Sequence, residues 1–161
     1  MNHQQYKLNY EVYADAGQLT EADAVLLKRA REATHLAYAP YSQFNVGAIA
    51  RLVNGATVMG TNQENASFPV GICAERVLLS AAATLHPGIA IESIAISYDN
   101  TKGESNHPIS PCGICRQSLL EYETRVKQPI RLILGGLEGK VYVIPHAGSL
   151  LPLSFTSEDM R

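Results

Sequence analysis

The sequence contains no tryptophan, only three phenylalanines and three cysteines, and no surplus of either charge. Three cysteines are too few, and odd in number, for the disulfide framework of a small secreted domain. The 13 basic and 15 acidic side chains give a formal net charge of -2. Because neutralising phosphates takes an excess of Lys and Arg, we expect no nucleic-acid partner.

Long apolar runs are also missing from the chain. No run of about 18 apolar residues is present that could cross a bilayer, and Met1–Tyr10 lacks the apolar run of a signal peptide. We therefore expect a cytoplasmic protein without a membrane partner. A composition of 46% hydrophobic and 17% charged residues over 161 positions is typical of one globular domain, expected here to span residues 1–161.

Hydrophobic periodicity and turn residues predict an alternation of helices and apolar strands. Strands are expected at 44–53, 56–60, 91–98, 130–134 and 141–144, with Asn54-Gly55 as the hairpin turn between the first two. Helices are expected from a Thr20 cap to a stop at Pro40, from Cys73 to Leu85 and from Pro111 onward. This order predicts a three-layer α/β/α fold with a mixed central sheet of about five strands. Alternating apolar residues also indicate a strand within 6–13, inside a probable N-terminal extension of residues 1–18.

The three cysteines lie in two short segments, Cys73-Ala74-Glu75-Arg76 and Pro111-Cys112-Gly113-Ile114-Cys115. Each segment opens a predicted helix, where free backbone N–H groups stabilise a thiolate. If both helix N-termini point at one place, three thiolates surround one cation, and zinc is the metal that prefers such ligands. Three protein ligands leave a fourth position open, as in catalytic zinc sites.

Glu75 is the candidate catalytic residue, because it follows a metal ligand by two positions and can face the site without ligating. A carboxylate placed there can take a proton from water and deliver it to a substrate. Arg76 could offset the negative charge of three thiolates. Two other interpretations remain: a closed structural zinc site with His107 as the fourth ligand, and a redox C-x-x-C motif. The first leaves Glu75 without a role, and the second leaves Cys73 without one.

A Cys-x-Glu segment followed by Pro-Cys-x-x-Cys is the pattern of zinc deaminases. With Cys in the first position, the chain resembles the short cytidine deaminases, which act on free nucleosides. The resemblance covers roughly residues 22–160 and includes the segments 37–44, 62–66, 116–117 and 151–159. It implies hydrolytic deamination of cytidine and 2′-deoxycytidine in pyrimidine salvage, one zinc ion per subunit, and a homotetramer with shared active sites.

The resemblance also implies roles for individual residues. Phe44 would pack against the pyrimidine, and Asn62 and Glu64 would bind the ribose hydroxyls. Ala66 and the Ala74 backbone would contact the base or sugar. Phe155 would reach into a neighbouring subunit's site, and Arg76 and Gln117 would support the metal ligands.

Two features depart from the family pattern. Phe68 stands where the family commonly has Tyr, and residues 68–72 are less polar than the usual approach to the first Cys. Both lie near the sugar end of the expected site, so a deaminase with a shifted nucleoside substrate is an alternative. A non-catalytic zinc module is a second alternative, and a nucleic-acid editor is disfavoured by the absence of a basic surplus and by Cys as the first ligand.

Overall fold

Six strands form one mixed sheet in the computed structural model, which describes all residues 1–161. The strands are β1 (Glu11–Tyr13), β2 (Phe44–Leu52), β3 (Thr57–Thr61), β4 (Ile91–Asn100), β5 (Arg131–Gly135) and β6 (Val141–Ile144). Their order in the sheet is β1-β6-β5-β4-β2-β3. Only β4 and β5 run parallel, because α3 (Gly113–Val126) lies between them in the chain and returns it to the same end of the sheet.

The helices cover both faces of the sheet, as the expected three-layer fold requires. Helix α1 (Glu21–Ala33) packs its apolar stripe on one face, where Leu27 meets Ile49 and Ile133. Helices α2 (Ala74–Leu85) and α3 pack on the other face over a core of 19 buried residues. None of the three helices is both long and apolar enough to traverse a membrane.

The hairpin and the first helix form for the local reasons expected from the sequence. Thr20 caps α1, its side chain accepting a hydrogen bond from the Asp23 N–H at 3.3 Å. Asn54-Gly55 closes the β2–β3 hairpin, although only Gly55 has a positive φ, of 83°. The Asn54 carboxamide instead accepts a hydrogen bond from the Ala56 N–H. The chain therefore turns here with a single left-handed residue.

Three expectations need correction. The N-terminal strand is shorter than residues 6–13, since only Glu11–Tyr13 pairs with β6, and it makes the sheet six-stranded instead of five-stranded. Helix α1 does not continue to Pro40: it ends at Ala33 in a short 3-10 turn over Thr34–Leu36, where the Thr34 hydroxyl bonds the Arg31 carbonyl. Several strand ends also shift by one or two residues, and β4 runs on to Asn100.

Candidate active site

Two helix N-termini meet at one end of the α2–α3 layer and carry the three cysteines. Cys73 and Cys112 are the capping residues of α2 and α3, both with extended backbone, and neither side chain caps its own helix. Cys115 lies one turn further into α3 and is fully buried. The two cysteines therefore lie at helix N-termini, where free backbone N–H groups and the helix dipole favour the thiolate form.

The sulfur atoms have a spacing that fits one zinc ion. Cys73 Sγ lies 3.9 Å from Cys112 Sγ, and Cys112 Sγ lies 3.5 Å from Cys115 Sγ. A tetrahedral centre with Zn–S bonds of about 2.3 Å places its sulfurs about 3.8 Å apart. All three ligand atoms lie within 4.8 Å of one another, and no fourth His, Cys, Asp or Glu belongs to the group. This set matches a three-ligand site with an open position.

The proton affinities of the cysteines support a cation at this place. A hydrogen bond from the Cys115 thiol lowers the pKa of Cys73 to about 6, in opposition to burial and to the charge of Glu75. The same contact, together with burial, raises the pKa of Cys115. One thiolate therefore forms readily, whereas three together require a compensating positive charge, which a divalent metal supplies.

Glu75 lies in the first turn of α2 and is buried, with only 5% of its surface exposed. Burial raises the pKa of its carboxyl, and hydrogen bonding from its own backbone N–H and from Cys115 partly opposes that shift. The side chain is not part of the metal-ligand group. A buried carboxyl with a raised pKa, beside a metal site but not bound to it, is suited to carrying protons.

His107 lies outside the cysteine cluster. Its Nδ1 is 3.2 Å from the Tyr98 hydroxyl and 3.3 Å from the Asn106 carboxamide oxygen. The closed structural zinc site with His107 as fourth ligand is therefore not formed in this structure.

The Arg76 side chain lines a groove of about 340 Å³ between α2 and α3. It makes no side-chain hydrogen bond, while its backbone N–H donates to the Cys73 carbonyl. Its charge nevertheless helps to lower the pKa of Cys73. The expected direct donation from Arg76 to the thiolates is absent, so its support is electrostatic.

Phe44 begins β2 on the sheet face that carries α2 and α3. Its ring is stacked on Tyr98, with 4.8 Å between centroids and 11° between planes. Asn62 fixes the strand on either side of this ring: its carboxamide accepts from the Val46 N–H at 2.7 Å and donates to the Phe44 carbonyl at 2.9 Å. Asn62 therefore has one amide hydrogen left for a ligand.

Glu64 lines a separate cleft of about 320 Å³ together with Tyr41 and Phe68. Its carboxylate accepts hydrogen bonds from the Tyr41 and Ser42 N–H groups at 2.9 and 3.3 Å. Hydrogen bonding from Ser42 is the main reason that the pKa of Glu64 is lowered. The carboxylate is thus ionised and oriented beside an open cleft, with Phe68 at its edge.

The other candidate contacts are spread around this centre. Ala66 is exposed, and Ala74 is buried at the start of α2. Gln117 donates its side-chain amide to the Phe155 carbonyl at 3.0 Å, so it holds the C-terminal segment instead of a cysteine. The Phe155 ring is 60% exposed and lies free of this chain's own core.

Arg116 is a structural residue of the site to which the sequence analysis gave no role. Its Nε donates to the Pro111 carbonyl at 2.8 Å, and its guanidinium also donates to the Leu150 carbonyl at 3.0 Å. It thereby fixes the turn that precedes Cys112 to the start of the C-terminal segment. Its position directly after the ligand Cys115 was the available signal.

Comparison with known proteins places this arrangement in a family. The family model described as the cytidine and deoxycytidylate deaminase zinc-binding region matches residues 20–128, a span that contains all three cysteines and Glu75. The chain belongs to this deaminase family. The match begins after β1, so the N-terminal strand of this deaminase lies outside it.

Individual deaminases resemble the chain along most of its length. The cytidine deaminase of Halalkalibacterium halodurans is 36% identical over 137 residues, which are 85% of this chain and 96% of that protein. The cytidine deaminase of Mycobacterium tuberculosis H37Rv is 33% identical over 139 residues, covering 84% and 91% of the two chains.

A solved structure shows the same fold. The crystal structure of cytidine deaminase from Burkholderia pseudomallei superposes with a TM-score of 0.71 at 37% identity, covering 85% of this chain and all of that one. The predicted family, α/β fold and zinc-binding character are thereby confirmed.

Proposed function

We propose that this deaminase converts cytidine and 2′-deoxycytidine to uridine and 2′-deoxyuridine with release of ammonia, as a step of pyrimidine salvage. The observation that carries the proposal is the set of three cysteine sulfurs within 4.8 Å of one another, beside the buried Glu75 at two helix N-termini. The related proteins of H. halodurans and B. pseudomallei are named cytidine deaminases.

Cys73, Cys112 and Cys115 would hold one zinc ion in each subunit. When bound, zinc supplies Lewis-acid activation of a water molecule. Glu75 takes a proton from the attacking water and delivers it to N3 of the pyrimidine as the water oxygen bonds to C4. It then takes the second proton from the new C4 hydroxyl and delivers it to the exocyclic nitrogen. The C4 carbonyl forms as the C4–N4 bond breaks, and ammonia leaves. The raised pKa of Glu75 suits a carboxyl that must both accept and release a proton.

The substrate is oriented by Phe44 and Asn62 and by Glu64 in the cleft that it lines with Tyr41 and Phe68. Phe44 offers the free face of its ring to the base, and the remaining amide hydrogen of Asn62 and the Glu64 carboxylate bind the ribose hydroxyls. Ala66 and the Ala74 backbone border the base and sugar. Phe68 has no hydroxyl to offer at the edge of the cleft, so we expect the chain's substrate range to differ most at the sugar.

We further propose that residues 1–161 form a single deaminase domain, in which residues 1–18 are an N-terminal extension. Four copies of this domain would form a homotetramer with shared active sites. Large apolar side chains are exposed close to the active-site segments: Phe68 is 74% exposed, Ile114 64% and Phe155 60%. Large apolar side chains exposed in this way are covered when subunits associate. Phe155 would complete a neighbouring subunit's site.

Three free cysteines suit the reducing cytoplasm, where we place the protein.

The experiment that tests the function is cytidine turnover, followed by loss of its ultraviolet absorbance, with zinc measured on the same sample. Conversion to uridine with about one zinc per chain supports the proposal. Bound zinc without turnover of cytidine or 2′-deoxycytidine contradicts it and points to a shifted substrate, which a series of cytosine nucleosides altered at the sugar would reveal. Zinc without turnover of any nucleoside would indicate a non-catalytic module.

A further inference from the structure

An aromatic pair occupies the end of the sheet nearest the active site. In the β2–β4 register Val46 lies opposite Tyr98 and Phe44 opposite Asn100, so Phe44, Val46 and Tyr98 share one face. Val46 packs against the core beneath α2 and α3. The Phe44 and Tyr98 rings therefore lie on the side of the sheet where the cysteines and Glu75 are gathered.

The stacking leaves the two faces of the Phe44 ring unequal. Tyr98 covers one face in a nearly parallel stack, with 4.8 Å between centroids and 11° between planes. Phe44 itself is half-buried, whereas Tyr98 is only 1% exposed. A planar ligand can thus stack only on the second face, and the orientation of that face is set by Tyr98.

Tyr98 is in turn held through its hydroxyl. The Tyr98 hydroxyl lies 3.2 Å from His107 Nδ1, and the two rings meet edge to face with 5.8 Å between centroids. Burial raises the pKa of Tyr98, so the hydroxyl keeps its proton and stays neutral beside the imidazole. His107 is this buried hydroxyl's only partner in the chain.

The backbone on either side of the pair is tied to the same loop. The Thr101 N–H and hydroxyl both donate to the Gln43 carbonyl, at 3.1 and 3.2 Å. Gln43 precedes Phe44 and has a φ of 58°, so this contact holds a constrained residue in place. The loop continues through His107 to Pro111 and Cys112, and so joins the aromatic pair to the metal-ligand segment.

We infer that Tyr98 and His107 are positioning residues for the reaction, holding the Phe44 ring at the orientation in which it stacks on the pyrimidine. The inference rests on the proposed function, since it requires that Phe44 contacts the base. Neither residue touches the reacting atoms. Loosening the pair should weaken binding of a planar base while leaving the proton transfers of Glu75 in place, which predicts a change in KM and not in kcat.

The test compares four substitutions in the zinc-loaded enzyme. Tyr98→Leu removes the stack, His107→Ala removes the hydroxyl's partner, His107→Asn restores a polar group near the position of Nδ1, and Phe44→Leu removes the platform. Tyr122→Phe and His35→Ala are the matched controls. The Tyr122 hydroxyl donates to the Ile89 carbonyl, and His35 is exposed in the 3-10 turn that follows α1.

We expect Tyr98→Leu to raise KM for cytidine about two- to tenfold, the range that aromatic stacking contributes, with kcat within about twofold of the parent. His107→Ala should raise KM by about threefold at most, His107→Asn should recover part of that loss, and both controls should keep the parent KM. Inhibition supplies a second readout. Tyr98→Leu should weaken inhibition by uridine more than inhibition by 5,6-dihydrouridine, because the saturated ring of the latter has no planar face to stack.

The outcomes separate this inference from the proposed function. If Phe44→Leu raises KM but Tyr98→Leu and His107→Ala leave it unchanged, the inference is overturned and the role of Phe44 stands. If Phe44→Leu itself leaves KM unchanged, the base does not stack there, and the inference falls with that part of the proposed function. The inference is also overturned if Tyr98→Leu lowers kcat at constant KM, or if it weakens inhibition by uridine and by 5,6-dihydrouridine equally. If Tyr98→Leu does not fold, the KM of His107→Ala still tests the inference, because His107 is exposed and its replacement leaves the core unchanged.

Discussion

At the scale of single residues, the chemistry depends on how Glu75 is held. The carboxyl sits in the first turn of α2, almost without solvent contact, and is not a metal ligand. Burial makes its protonated form more accessible than that of an exposed glutamate, because an isolated charge is costly away from water. In the proposed mechanism its neighbours in sequence, Cys73 and Arg76, act on the metal site instead, so each of these three residues would have a different task.

Replacing Glu75 with Gln should abolish turnover without changing the fold. The amide keeps the shape of the side chain but cannot carry the proton, so kcat should fall by about 10²- to 10⁴-fold. Zinc content and the thermal midpoint should stay near those of the parent. Steady-state kinetics on both proteins make the comparison, and a variant with near-normal kcat would remove Glu75 from the mechanism.

Replacing Cys112 with Ala should remove the metal. Cys112 is exposed and contributes little to the core, so its loss acts through zinc and not through a cavity. Zinc per chain should fall well below that of the parent, and the thermal midpoint should drop. Ser118→Ala, in the same helix, is the control. Retention of one tightly bound zinc in Cys112→Ala would show that the ligand set is wrong.

At the scale of elements, the site depends on how closely α2 approaches the sheet. Gly60 in β3 lies directly beneath the start of this helix, and a Cβ atom there would come within 2.3 Å of the Ala74 carbonyl and 2.5 Å of the Leu78 N–H. These are backbone atoms, which cannot move aside without shifting the helix. The missing side chain at position 60 therefore helps to set where Cys73 and Glu75 lie.

Gly60→Ala should consequently destabilise the protein and disturb the site together. We expect the free energy of unfolding to fall by about 1–3 kcal/mol, as in other overpacked sites, with weaker zinc retention. Gly113→Ala is a matched control for stability, because a Cβ atom at Gly113 meets nothing within 4 Å. Urea denaturation of both variants measures the difference, and equal stability of the two would contradict the close-approach argument.

A partly buried ion pair joins α1 to β5 on the opposite face of the sheet. Both guanidinium NH₂ groups of Arg131 donate to the Asp23 carboxylate at 2.8 Å. Burial acts to raise the pKa of Asp23, but the hydrogen bonds from Arg131 and Thr20 outweigh it, and the pKa is lowered. The pair therefore stabilises the fold while the carboxylate is ionised.

The sign of the pH effect follows from that lowered pKa. Stability from Asp23 is fully present above the unfolded-state pKa of about 3.9 and is lost as the pH falls through the folded-state value. We therefore expect the parent to have a larger free energy of unfolding than Asp23→Asn at pH 7, and this difference should shrink toward pH 3. Urea unfolding of both proteins across this range measures it. Zinc release at low pH affects both proteins and cancels in the difference. An advantage independent of pH would show that ionisation of Asp23 does not matter.

At the scale of the whole molecule, the open question is what covers the exposed apolar residues. The C-terminal segment is held to α3 by Gln117 and Arg116, yet it leaves Phe155 exposed to solvent. In one copy alone such a ring has no partner. A neighbouring subunit whose active site it enters would give it one.

Dilution should therefore reduce activity per chain if the proposed tetramer dissociates. Phe155→Ala should raise KM even at high protein concentration, whereas Leu153→Ala, a fully exposed neighbour, should have less effect. Analytical ultracentrifugation at the assay concentrations supplies the oligomeric state. A monomer with full activity would contradict the shared site.

Much of this molecule was predictable because its signals are local. The cysteines, Glu75, the Thr20 cap and the apolar strands all lie within a few residues of the features that they define. The helices expected from Cys73 and Pro111 begin within two residues of those positions, at Ala74 and Gly113. The end of α1 and the length of β1 were predicted less well. In both places periodicity continues in the sequence after the backbone hydrogen bonds have changed partners.

The sequence by itself determined the family and was enough to predict the zinc-ligand types and the proton carrier, since these depend on residue identity and short spacing. Only the tertiary structure decided which groups meet. It brings together Cys73 and Cys112, which are 39 residues apart in the chain. It places the Arg76 side chain in the groove between α2 and α3, and it stacks Phe44 on Tyr98 through the register of β2 and β4. Such contacts depend on how strands pair and helices pack across long separations in the chain, and no short stretch of residues specifies that geometry alone.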